Sequence, residues 1–263
     1  MKVFLAGENG DGWHGRDFYD FFYLGSFYYM KGDCSFIYRL KDFLLDSGAF
    51  SFMNAKTKSK ESWDEYIERY AKFINQYDIK HFFELDIDSI VGLPEVERLR
   101  AKLEHLTGKQ CIPVWHTARG IDYWHKMVAN YKYVAIGGIV TNEIKRNQYD
   151  AFLPLLRIAR EHDCKVHGLG FTNMLGLQKY PFYSVDSTAW IYGNRGGYIY
   201  VFNGKTLDKV HRKEGMRLQS KNATIHNFIE WYKFARMAHT ASFARLRAGH
   251  TARGIEGHAQ TIH

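Results

Sequence analysis

Cysteine is nearly missing from this 263-residue chain: Cys34, Cys111 and Cys164 stand far apart, are odd in number and form no Cys-x2-Cys pair. That excludes a disulfide framework and a cysteine-based zinc site, and it predicts a reducing, cytoplasmic setting. Long apolar runs are missing too, with no stretch approaching the 18 residues that a membrane helix requires. The run Val3-Phe4-Leu5-Ala6 behind Lys2 stops at Gly7 and Glu8, too short for the apolar region of a signal peptide, so no membrane partner is expected. Gly7-Glu8-Asn9-Gly10-Asp11-Gly12 lacks the Lys-Ser/Thr ending of a phosphate-binding P-loop and reads as a rim loop. Acid is short relative to base, 28 Asp+Glu against 36 Lys+Arg, for a net charge of +8 and a pI near 9.2. Such a surface attracts a polyanion, and nucleic acid is favoured over an acidic small molecule.

What is present is rhythm. Apolar runs of strand length lie near 2–6, 43–45, 82–87, 111–115, 133–139, 165–169, 183–185 and 198–202. Between them come groups with helical spacing: Phe18, Phe21 and Phe22; Trp63, Tyr66, Ile67, Tyr70, Phe73 and Ile74; Val96, Leu99, Leu103 and Leu106; Phe152, Leu155, Leu156, Ile158 and Ala159. Eight strands alternating with helices predict an α/β fold, a single (β/α)8 TIM barrel, with an open doubly wound sheet as the alternative. Tyr198 to Val210 looks more like a hairpin turning at Asn203-Gly204 than an eighth barrel strand, so an irregular, hairpin-containing region is expected after strand seven. The barrel is expected over 1–238. Lysine stops at Lys233, and 239–263, rich in Ala, Gly and His, is read as a tail outside the core. His-Thr-Ala-Arg-Gly occurs at 116–120 and again at 250–254, a single recurrence without a repeat period.

Asp46 and Asp186 each end an apolar run, and two carboxylates at the C-terminal rim of a barrel suggest a catalytic mouth. Sharing one mouth, they would push each other's pKa apart, leaving one charged and one carrying a proton. Either could instead cap the turn that follows, Ser47-Gly48 or Ser187-Thr188. Asp86 and Asp88, two apart, would share one face of a continuing strand. His167 reads as a rim or core histidine, and Arg119 as either a phosphate contact or a solvated loop residue. Trp115 and Trp190 are stacking platforms or buried packing.

Taken in order, Asp46-Ser47-Gly48-Ala49-Phe50, Asp86, Gly137-Gly138-Ile139 with Glu143, His167-Gly168-Leu169-Gly170 and Val185-Asp186 resemble the tRNA-guanine (queuine) transglycosylase superfamily over roughly residues 40–190. The similarity looks closest to its shorter phage and bacterial branch, which inserts 7-deazaguanines into DNA; a phage protein would work in the host cytoplasm. The resemblance implies a barrel pentosyltransferase that exchanges guanine for a 7-deazaguanine base in DNA, or less readily in tRNA. Asp186 would be the nucleophile and Asp46 the general acid/base. The base would be held by Asp86 or Asp88, His116, Gly137, Gly138, Glu143 and the wall His167, Gly168, Leu169, Gly170. Arg119, Trp190 and Arg195 would face the nucleic acid. No cofactor is implied, and because no Cys follows Cys164 the family's zinc site is missing. Ser187-Thr188-Ala189-Trp190 replaces the family's Pro-Thr-Arg, and His116 stands where a glutamine is expected. Two other readings fit the same residues: a catalytically silent nucleic-acid-binding barrel, and an N-glycosidase-type barrel hydrolase in which water replaces the incoming base.

Overall fold

The computed structural model describes residues 1–7, 19–53, 61–171, 177, 179–192, 196–211 and 220–258, without side chains at 50, 53, 192, 220 and 241–258. Seven parallel strands form one sheet: β1 (Lys2–Ala6), β2 (Phe22–Ser26), β3 (Asp42–Asp46), β4 (Val114–Trp115), β5 (Tyr133–Ile136), β6 (Lys165–Gly168) and β7 (Ser184–Ser187). Their spatial order is β3-β2-β1-β7-β6-β5-β4, so the sheet curls with β3 and β4 at its two ends. The expected closed eight-stranded barrel is not formed; this is an open half-barrel.

The seam between the two ends shows why. Segment 82–83 meets each end strand through one isolated bridge only, Leu45 with Phe82 and Phe83 with Ile112. Pro113 has no N–H to offer a ladder. The next donor, Val114 N–H, is taken at 2.7 Å by the carboxylate of Glu84 and not by a strand carbonyl. The chain then turns, with Ile87 N–H bonding Leu85 O and helix α3 starting at Asp88, so the expected strand 82–87 ends as it begins.

A second correction concerns residues 18–22, whose apolar spacing suggested a helix. Residues 22–26 are strand β2, in register with β1 (Ala6 with Leu24) and β3 (Ser26 with Asp46). A strand buried on both faces is apolar throughout, and such a run contains every helical spacing by default.

The helices are α1 (Ala49–Met53), α2 (Trp63–Gln76), α3 (Asp88–Val91), α4 (Leu93–Thr107), α5 (Gly120–Asn130), α6 (Phe152–Glu161), α7 (Ala189–Tyr192) and α8 (Ser220–His258). α2 starts at a capping box in which the Ser62 hydroxyl accepts Glu65 N–H and the Glu65 carboxylate accepts Ser62 N–H; it buries Tyr66, Ile67, Tyr70, Ala71 and Ile74. α4 carries Pro94 in its first turn and ends at Gly108 in the left-handed region. Strands β8 (Tyr198–Phe202) and β9 (Leu207–His211) form the hairpin anticipated at Asn203-Gly204, separate from the main sheet. α8 packs Phe228 against Phe21 and Trp190, and Trp231 against Tyr200.

Period-two alternation sorts the sheet into two faces. Odd residues such as Val3, Leu5, Tyr23, Phe43 and Leu45 pack outward in the large core with the helices. Even residues of β1 to β3, Phe4, Ala6, Phe22, Leu24 and Leu44, line the concave face with Phe83, Ile112, Val114, Tyr133 and Ala135. Lys2 and Asp42, which pair at 2.5 Å, lie at the N-terminal end of that face. The C-terminal end forms a mouth. Among the described residues no helix is long and apolar enough to cross a membrane.

Candidate functional site

Strand parity brings the acids together. Asp46 follows Leu44 by two, and Asp186 sits opposite Phe4 in register, so both carboxylates share the concave face at the mouth. Gly48 N–H donates to Asp46 at 2.9 Å. Burial, opposed by that bond and reinforced by the charges of Asp86 and Asp186, pushes the Asp46 pKa up to about 6. Asp186 is differently served: Gly170 N–H at 2.6 Å and His167 Nε2 at 3.1 Å both meet its Oδ1. Its Oδ2 makes no hydrogen bond among the described residues.

Asp86, His116 and Glu143 form a second unit. His116 Nε2 lies 2.7 Å from Asp86 Oδ1, and its Nδ1 lies 2.9 Å from Glu143 Oε2. Desolvation opposes the charged imidazole, but hydrogen bonds and charge from Asp86 and Glu143 outweigh it and raise the His116 pKa to about 9. Glu143 also accepts Thr117 N–H at 2.7 Å and the Thr117 hydroxyl. The two glycines make room for this unit: a Cβ on Gly137 would lie 2.6 Å from His116 Cε1, and one on Gly138 would lie 2.8 Å from Glu143 Oε2. Gly138, at φ +79°, adopts a conformation that favours glycine, and its N–H has no acceptor among the described residues.

Several other residues read toward ligand or nucleic acid serve the framework. Asp88 opens α3 and holds Arg119 through two bonds of 2.5 and 2.6 Å. Arg119 is 1% exposed in its side chain and also pairs with buried Glu84 at 3.0 Å, leaving phosphate no access to its guanidinium. Trp190 is fully buried and donates to Ala6 O, and Trp115 donates to Gly120 O, so both indoles are packing. His167 is fully buried between the rings of Phe4 and Phe83, beneath the mouth. Gly168 ends β6, and Leu169, partly buried, packs on the concave cluster with its N–H bonded to Ile136 O. Arg195 lies outside the described residues.

Sequence reading missed Lys145 and Arg146. Both are exposed just beyond Glu143, where Lys145 precedes and Arg146 opens a short 3-10 helix (Arg146–Ala151), and neither forms an ion pair among the described residues. Their signal was two adjacent bases beginning four residues beyond Gly137-Gly138-Ile139-Val140-Thr141, on the segment that follows the mouth end of β5. Also missed was the buried ion set in which Glu84 meets Arg100 at 3.0 Å and Arg100 meets Tyr123 Oη at 2.8 Å. All three cysteines are free and buried, and among the described residues no group of three or more His, Cys, Asp or Glu is placed to hold a metal ion.

No protein-family model matches the chain, and no curated protein matches it. The resemblance to the tRNA-guanine transglycosylase superfamily is therefore corrected: no family match supports it, and the sheet is open where a TIM barrel would be closed. With it go the implied pentosyltransferase activity, the queuine-related base exchange and the covalent aspartyl intermediate.

Proposed function

We propose that the chain is a nucleic-acid-binding protein that accepts one extruded guanine-like base into the half-barrel mouth. The observation that carries this is the set of polar groups left open among the described residues: Asp86 keeps one carboxylate oxygen beyond its bond to His116, Asp186 keeps Oδ2, and Gly138 keeps its N–H. A guanine edge offers two donors, N1–H and the exocyclic amine, beside the O6 acceptor. Carboxylate and backbone N–H match that pattern, with each charge-assisted pair worth on the order of 2–3 kcal/mol. Lys145 and Arg146 on the rim, within a chain of net charge +8, supply sequence-independent phosphate contacts. Extrusion from a duplex costs a few kcal/mol, so single strands are favoured.

The test is fluorescence anisotropy with single-stranded DNA, duplex DNA and RNA of matched sequence, each carrying one guanine or one inosine, which lacks the exocyclic amine. Guanine should bind at least about 30-fold more tightly, the equivalent of one such pair, and Asp86→Ala should erase the difference. Equal affinity for guanine and inosine in the unaltered protein refutes base recognition.

A second reading, hydrolysis of the N-glycosidic bond, is favoured by the raised pKa of Asp46. In that reaction the C1′–N bond breaks, the base leaves with a proton from Asp46, water supplies the new C1′–OH and gives up its other proton to the Asp46 carboxylate, and Asp186 faces the positive charge developing on the sugar. Chromatography for free guanine after incubation with the oligonucleotide separates the readings: release establishes turnover, and its absence with intact binding leaves the binding reading alone.

A further inference from the structure

Beneath Asp186 a chain of polar groups runs through an otherwise apolar concave core. Tyr133 Oη lies 2.5 Å from Ser184 Oγ, Ser184 Oγ lies 2.6 Å from His167 Nδ1, and His167 Nε2 lies 3.1 Å from Asp186 Oδ1. Ser184 and His167 are fully buried, and Tyr133 nearly so. Its ring is walled by His81 and Tyr183. An apolar core has no packing need for a histidine, a serine and a tyrosine hydroxyl, and each must find a partner or lose stability. Here they satisfy one another in a single line that ends at the mouth.

The line has a direction. A carboxylate already receiving Gly170 N–H can only accept from His167, which makes Nε2 the protonated nitrogen. In a neutral imidazole Nδ1 must then accept, and the donor in reach is the Ser184 hydroxyl. Ser184 has one proton, so once that proton is committed its oxygen accepts from Tyr133 O–H. Protonating Nδ1 would make Ser184 its acceptor and leave one hydroxyl proton of the Ser184–Tyr133 pair without a partner along this line.

We propose that Tyr133 and Ser184 lock His167 as the neutral Nε2–H tautomer, making His167 a positioning residue that orients Asp186 without neutralising it. The charge of Asp186 is thereby kept for donors on the ligand, a consequence that rests on the base-binding reading above; the lock itself does not. The groups facing His167 are Asp186 and Ser184 from β7, the Phe4 ring from β1 and the Phe83 ring from the seam, with Tyr133 reached through Ser184. Other charged or titratable groups on the same face are Lys2, Asp42, His81 and Lys165 toward the floor and Asp46 and Asp86 at the mouth.

The test is a nitrogen-15 and proton correlation spectrum of the histidine side chains in the full chain at pH 7.5, with His167→Gln assigning the signal. His167 should show the neutral Nε2–H pattern, with Nδ1 shifted as a hydrogen-bond acceptor. Ser184→Ala, which removes the donor in reach of Nδ1, should move the Nδ1 resonance toward that of an unbonded imidazole nitrogen, and binding of guanine-containing single strands should weaken several-fold. Ser184→Thr, which retains a hydroxyl, should behave as the unaltered protein, and guards against a general packing defect. An imidazolium or Nδ1–H pattern in the unaltered protein overturns the proposal, as does an unchanged Nδ1 resonance in Ser184→Ala. A correct tautomer pattern without nucleic-acid binding would refute the base-binding reading and leave the lock standing.

Discussion

Asp46→Asn should make the protein more stable, and only above a predictable pH. An aspartate ordinarily titrates near 3.8, and in the mouth Asp46 does so at about 6, because burial comes first and the charges of Asp86 and Asp186 add to it. Below about 3.8 the carboxyl is protonated folded and unfolded alike. Between the two values the unfolded chain releases the proton while the folded one retains it. A raised folded-state pKa therefore supports the fold below the unfolded value, and that support is lost as pH rises through about 6. Each pKa unit is worth about 1.4 kcal/mol, which sets an upper figure of about 3 kcal/mol; partial exposure at the rim trims it to ~1–3 kcal/mol. Asparagine has nearly the same shape and can still accept Gly48 N–H, but it carries no charge to desolvate.

Urea unfolding of both proteins at pH 4, 5, 6, 7 and 8 measures the effect, and taking the difference at each pH cancels titration elsewhere. The gain of Asp46→Asn should be near zero at pH 4, grow through pH 6 and then level off. A gain that is flat with pH, or a loss at every pH, would refute the reasoning.

Three further outcomes follow from the described contacts. Arg119→Met should cost about 3–5 kcal/mol in unfolding experiments, because Glu84 and Asp88 lose their shared cation, and should leave the salt dependence of nucleic-acid binding unchanged. His116 should keep its proton to about pH 9 in a proton NMR titration, and Glu143→Gln should lower that midpoint by removing one of the two carboxylates that hold it. The stability that His116 supplies is full below its ordinary 6.5 and is lost as pH rises through about 9. Lys145→Ala and Arg146→Ala should each reduce the slope of log affinity against log salt by about 1, where an unchanged slope would move phosphate contact elsewhere.

The candidate acids were legible because a carboxylate ending an apolar run carries information in its position. Asp46 and Asp186 fall on the concave face by strand parity alone. The hairpin was legible for a similar reason, since Asn203-Gly204 is turn chemistry that no neighbour needs to supply. What stayed hidden depended on partners far along the chain. Phe18, Phe21 and Phe22 matched a helix in spacing, yet Phe22 opens strand β2, held between β1 and β3. Residues 82–87 matched a strand and failed to become one because the Glu84 side chain, drawn inward by Arg100 and Arg119, occupies a backbone donor that a neighbouring strand would use. Gly137-Gly138 stood out as a place for close approach by a base, yet the room they leave is filled by His116 and Glu143. Spacing locates a residue on a face; it does not say which charge will arrive opposite.

The mouth gathers carboxylates while the chain as a whole is basic, and under the proposed function that contrast would sort the two halves of a nucleotide. A net charge of +8 draws a polyanion from beyond the contact distance, with a reach of about 8–10 Å at physiological ionic strength. On the base-binding reading proposed above, Asp46, Asp86, Asp186 and Glu143 inside the mouth would repel phosphate and accept from base N–H groups. Phosphates should therefore stay on the rim while a base enters, so the two contacts should be separately removable. Polyphosphate competes for the rim alone: it should lower the affinity for guanine and inosine strands by the same factor and leave their ratio intact. Free guanosine competes for the mouth alone and should collapse that ratio toward one without displacing the strand. If polyphosphate removes the guanine preference, the acids are not reading the base, and the mouth serves the fold only.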